Sequence, residues 1–182
     1  DIIYSKEIVK RVGKYFFENR TYKISYFDII KICNDLPDSK IVLDGFIRAK
    51  IFIKIHSDDQ LFLYMNYQRF ADYSVALYLL QNYSNYDELN KLLSEEFNII
   101  KSNKINAYNA FGYITALSVI QSEYFDSNFS KICNLLENSI FLNTFIDEYL
   151  NAFLLRANCD INKNNYVTYI LPVLNKYNIA KH

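Results

Sequence analysis

Only two histidines occur in this chain of 182 residues, and one of them, His182, is the last residue. The other, His56, stands in "IHSDD" beside Asp58 and Asp59. An imidazole next to carboxylates can hold a metal ion or relay a proton. No second His or Cys stands at ligand spacing, so the stretch reads as a polar turn between two apolar segments. Phosphate-binding loops need clustered glycines for close backbone approach. Gly13, Gly45 and Gly112 are isolated, which excludes both GxGxxG and a P-loop. The carboxylate pairs Asp58-Asp59, Glu95-Glu96 and Asp147-Glu148 are sequence neighbours. Neighbours on a helix point different ways, so these read as solvated faces. Cys33, Cys133 and Cys159 are odd in number and far apart, which fits neither a disulfide framework nor a zinc motif. They read as buried small hydrophobes in a reducing compartment. These patterns predict a chain that is not an enzyme and uses no cofactor or metal.

Binding chemistry is better represented. Residues 1–55 carry 11 Lys/Arg against 7 Asp/Glu, a balance of +4, and residues 56–182 carry 9 against 13, a balance of −4. Lys6, Lys10, Arg11 and Lys14 give the first helix a basic side, and Arg20 and Lys23 follow, interleaved with Tyr15, Tyr22 and Tyr26. Cations beside aromatics can hold phosphates and stacked bases. A second group lies in residues 62–86, where Phe62, Tyr64, Tyr67, Phe70, Tyr73, Tyr78, Tyr83 and Tyr86 occur within 25 residues. So many large rings are hard to bury together, which predicts that some line a partner-binding surface. Lys6, Lys10, Arg11, Lys14, Tyr64, Tyr67 and Tyr73 are the candidate partner-binding residues.

The elements that must position them are read from apolar spacing. Three glycines and two prolines are too few for an all-β fold with its frequent turns, so the composition favours helices. Helices are predicted over 5–18, 26–35 (capped by Ser25 with Asp28), 68–82, 86–100 (capped by Asn85), 128–140 (capped by Ser127 or Asn128) and 141–157. A helix over 164–177 should kink or restart near Leu171, because Pro172 lies inside it. Between them, "KIVLDGFIRAKIFIKIHSDDQLFLY" reads two ways. A helix from Ser39 to His56, with Val42, Phe46, Ala49 and Ile53 inward, is favoured. In the rival reading Ile47, Ala49, Ile51, Ile53 and Ile55 alternate as strand, with turns at Asp44-Gly45 and at Ser57-Asp58-Asp59. Helix starts near 5, 40, 69, 106 and 141 approach the period of helical-hairpin repeats.

The expected architecture is therefore a single all-α domain over 1–182. Antiparallel helical hairpins would form a compact bundle or a short solenoid-like array, with a small β-meander at 40–66 as the variant. No apolar run approaches the roughly 18 residues of a membrane span and no secretory leader is visible, so the expected location is intracellular, cytoplasmic or nuclear, without a membrane partner. In "INAYNAFGYITALSVIQ", residues 105–121, Gly112 interrupts a helix apolar on most sides. Such a helix is buried, and the glycine is expected to admit a close neighbour.

That helix and the following "SEYFDSNFSKICNLLENSIFLNTFIDEYL" resemble the central hairpin of viral Bcl-2-like proteins, over roughly residues 86–155. The Asn-Trp-Gly-Arg signature of the cellular members is absent, since the chain has no Trp. The resemblance implies a glycine-bearing helix surrounded by amphipathic ones, in a fold that binds protein partners. The expected function is a non-catalytic protein-binding or scaffolding subunit of a multi-subunit complex. The alternatives are an RNA- or ribosome-associated factor docking through the basic N-terminal third, and a viral Bcl-2-like inhibitor of host signalling.

Overall fold

The structure, a computed structural model, describes residues 2–57, 59–83, 85–102, 107–120, 122–156 and 159–179. Asp58 and His182, singled out above, lie outside them, as do both ends of the stretch 105–121. The chain is mostly helical and divides into two compact units, Asp1–Asn82 and Tyr83–His182.

In the first unit α1 (Ile2–Asn19) buries Ile8, Val12 and Phe16, the spacing of one helical face. It lies against α4 (Gln68–Asn82). The two backbones approach so closely that a Cβ added to Gly13 would overlap the Ser74 carbonyl and stand 2.8 Å from the Val75 nitrogen. The chain leaves α1 through Arg20, at φ 53°, with the Thr21 amide donating to the Phe16 carbonyl at 3.2 Å. A short strand β1 (Lys23–Ser25) runs into α2 (Tyr26–Ile32). Ser25 caps α2 as expected, its Oγ accepting from the Asp28 amide at 3.0 Å and donating to the Asp28 carboxylate at 2.7 Å.

The favoured helix from Ser39 to His56 is corrected: α3 spans Ser39–Arg48 and the chain then turns to strand. Lys50 takes φ 56°, its amide donates to the Ile47 carbonyl at 3.0 Å, and the Ile51 amide donates to the Phe46 carbonyl at 2.9 Å. This is a Schellman stop with lysine where glycine is usual. Asp44-Gly45, the turn of the rival reading, lies inside α3. The hairpin comes later, as β2 (Phe52–Ser57) and β3 (Gln60–Met65), with Asp59 at φ 61° in the loop. The sheet is antiparallel in the order β1-β3-β2, so both outer strands are edges.

The second unit is helical among its described residues: α5 (Tyr86–Lys101), α6 (Ala107–Ile120), α7 (Ser122–Leu135), α8 (Leu142–Leu154), α9 (Cys159–Asn165) and α10 (Leu171–Lys176). Asn85 caps α5, accepting from the Asp87 amide at 3.0 Å. The predicted start at Ser127 or Asn128 is corrected: α7 begins at Ser122. Between α9 and α10 the backbone widens into a π turn, Tyr166–Ile170, and the helix restarts at Leu171 as Pro172 requires. Rings from four helices form the core: Phe97 meets Phe145 edge-on at 5.4 Å, and Phe129 lies 4.4 Å from Tyr149. Gly112 is half-buried, and its carbonyl accepts the Thr115 hydroxyl at 2.7 Å.

Candidate partner-binding face

Cross-strand partners in a sheet share a face, and the pairing sorts this one into two. Ile24, Leu63, Met65 and Phe52 are buried on the inner face. The outer face carries Lys23–Tyr64–Ile53 as one transverse row and Ser25–Phe62–Ile55 as the next. Ile53 and Ile55 remain 41% and 43% exposed, although aliphatic side chains usually seek the interior. The Lys23 ammonium stands 5.0 Å from the Phe62 ring centre, within cation–π range. Beyond Phe62 a cleft of about 540 Å³ opens where β1 passes into α2, lined by Ser25, Tyr26, Phe27, Asp28, Gln60, Leu61 and Phe62. Phe27 at its rim is 75% exposed. The outer face of the sheet thus presents Ile53, Ile55, Phe62 and Tyr64 in adjacent rows, with Lys23 at the end of one of them.

Of the expected residues, Tyr64 lies on this face. Tyr67, in the connection to α4, is 63% exposed, and Tyr73 on α4 is 43% exposed. The basic residues run along α1 instead and are largely matched by local acids. Lys10 lies 3.6 Å from Glu7 and Lys14 lies 3.8 Å from Glu18. Arg11 holds the Asp35 carboxylate with both terminal nitrogens, the Nη2 bond being 3.0 Å, and also donates to Glu7 and to the Ile32 carbonyl at 2.7 Å. It thereby ties the end of α2 to α1, and its guanidinium lowers the Asp35 pKa below the usual carboxylate value. Lys6 is exposed. The structure does not bring this row and Tyr64 together on one element.

Phe62 was in the aromatic group read as surface-lining, whereas Ile53 and Ile55 are the residues that sequence reasoning missed as binding residues. Their signal was present as period-two alternation. Taken at face value, however, that pattern buries the isoleucines, and the structure buries Phe52 instead.

The second unit contains a buried polar cluster. Asp126 accepts from the Tyr149 hydroxyl, from Arg156 Nη1 at 2.6 Å and from Asn165 Nδ2 at 2.7 Å. The guanidinium stacks 4.6 Å from the Phe153 ring centre, and its Nε and Nη2 are buried without a hydrogen-bond partner. Burial, and then the Asp126 charge, push the Tyr149 pKa well above the ordinary tyrosine value. The cluster joins α7, α8 and α9, and with every group enclosed it reads as architecture. One clue was available: Arg156 is the only arginine after Arg69.

Glu96, assigned above to a solvated face, is corrected. It is buried on α5 and accepts the Tyr113 hydroxyl at 2.8 Å. Cys33 and Cys133 are free and buried, and burial raises their thiol pKa values to about 11 and about 12. Among the described residues no group of His, Cys, Asp and Glu could hold a metal ion, and no helix is long and apolar enough to cross a membrane. No family model, no curated protein and no solved structure matches the chain.

Proposed function

We propose that this chain is a non-catalytic binding subunit that captures a protein partner on the outer face of its three-stranded sheet. The observation that carries this reading is the pair Ile53 and Ile55, held outward beside Phe62 and Tyr64 while Phe52 of the same strand is buried. Contiguous exposed apolar surface rimmed by polar groups is the usual mark of a protein interface. A protein fits better than a nucleic acid, because the rings and isoleucines outnumber the cations here and, on α1, Lys10 and Lys14 are paired with Glu7 and Glu18. In this reading the helices are scaffold and the sheet is the contact. Free thiols suit a reducing compartment, which supports an intracellular location.

The test is to purify the tagged full chain from its source beside an Ile53→Asp/Ile55→Asp variant. Both side chains are partly exposed, so the variant should keep its thermal midpoint within a few degrees. A protein that accompanies the parent in stoichiometric amount should be lost from the variant. Equal capture by both forms, or capture abolished by ribonuclease, would refute the reading.

A further inference from the structure

The partner's backbone conformation and side-chain pattern follow from strand β2. In an antiparallel ladder alternate residues exchange bonds with the neighbour, and those between them direct N–H and C=O the other way. The Asn66 amide donates to the Ile51 carbonyl at 2.9 Å, which sets the phase. Ile53, Ile55 and Ser57 therefore bond to β3, whereas Lys54 and His56 turn their backbone groups outward. β2 is an edge, no backbone bond to another described segment occupies those groups, and both residues are exposed. An uncovered edge of this kind is a template for a further strand.

The side chains define what that strand must carry. β2 contains Lys54 and His56 and no acid. Lys54 makes no ion pair among the described residues, and its ammonium stands 5.7 Å from the Tyr26 ring centre. Ile53 and Ile55 alternate with them on the opposite face. We infer that β2 accepts an extended segment of a partner protein as a fourth, antiparallel strand. This segment alternates acidic residues, opposite Lys54 and His56, with apolar residues, opposite Ile53 and Ile55. The inference rests on the protein-binding reading above and specifies its partner. A second copy of the chain is a poor occupant, because its β2 offers no acid, and antiparallel pairing of two β2 edges about Lys54 sets the two ammonium groups opposite each other, where like charges destabilise a ladder. A nucleic acid presents no strand amides to Lys54 and His56.

The experiment uses the full chain and a labelled, end-blocked heptapeptide of alternating valine and glutamate. In the inferred register the glutamate amides face β2 and the valine amides face away. N-methylation of the glutamate amides should weaken binding about tenfold or more, the effect of losing one or two net hydrogen bonds. N-methylation of the valine amides should leave it within about twofold. Lys54→Glu should weaken the parent peptide, and the Lys54 and His56 amides should gain exchange protection when it binds. Equal sensitivity to both methylation patterns, absence of peptide binding, or protection arising from self-association without peptide overturns the inference. If the peptide fails while Ile53→Asp/Ile55→Asp still abolishes capture of the native partner, strand addition is wrong and the sheet face stands. If capture is also unaffected, both fall.

Discussion

Glycine is used in this chain in an unexpected way. Six described residues take left-handed φ values, namely Arg20, Asp38, Lys50, Asp59, Asn138 and Asn178, and no glycine does. All three glycines lie in regular helix with ordinary φ, where their cost of roughly 1 kcal/mol against alanine calls for a packing reason. Gly13 has one in the Ser74 backbone, and Gly45 has none, with nothing within 4 Å of an added Cβ. These two positions should respond in opposite directions. Gly13→Ala must push α1 from α4 and should destabilise by about 1–3 kcal/mol or more, whereas Gly45→Ala should stabilise by about 0.5–1 kcal/mol. Denaturant midpoints of both variants measure this, and a neutral Gly13→Ala would disprove the close contact. The apolar spacing of α1 reveals which of its faces is buried, not which of its residues meets another backbone.

At the scale of elements, amphipathic helices were readable and their stops were not. The faces of α1, α5 and α8 follow from apolar spacing, and the caps Ser25 and Asn85 were found because Ser and Asn accept from free helix amides. The stop of α3 was hidden because lysine, not glycine, occupies its left-handed position. The hairpin turn was in the rival reading, at Ser57-Asp58-Asp59, but Asp59 takes the left-handed φ there without the Asn-Gly pair that would have announced it. The cluster on Asp126 is also an element-scale device, since it fastens α7 to α8 and α9. Asp126→Ala would leave Arg156 as a buried charge without its carboxylate, at an expected cost of about 3–5 kcal/mol. Hydrogen exchange should then show α7, α8 and the π turn opening first. A loss below about 1 kcal/mol would mean that water reaches the guanidinium.

Across the whole molecule three buried side chains share a direction of titration. Cys33 in the first unit, and Cys133 and Tyr149 in the second, are all held protonated above their ordinary values by burial. In the unfolded chain the thiols ionise near pH 9. Between that value and the raised native values the native state binds more protons, so stability falls as pH rises. It is fully present below about pH 8 and declines progressively through pH 9–12. The thermal midpoint should follow this course, and Tyr149→Phe should flatten its most alkaline part. A midpoint constant to pH 11 would show that these groups are accessible in the native state.

The sequence by itself determined the mostly helical class, the principal amphipathic faces, the restart of the last helix at Pro172 and the absence of a phosphate loop. Each of these depends on neighbours in the chain: apolar residues three or four apart, a missing proline amide, isolated glycines. Tertiary structure decided where α3 gives way to strand, that Ile53 and Ile55 face outward while Phe52 is buried, and that Gly13 meets the Ser74 backbone. It also decided that Arg11, read as a binding cation, is committed to Asp35. Those outcomes depend on what stands across from a residue, and a partner 24 positions away, as Asp35 is from Arg11, or 61 away, as Ser74 is from Gly13, leaves no mark on local periodicity.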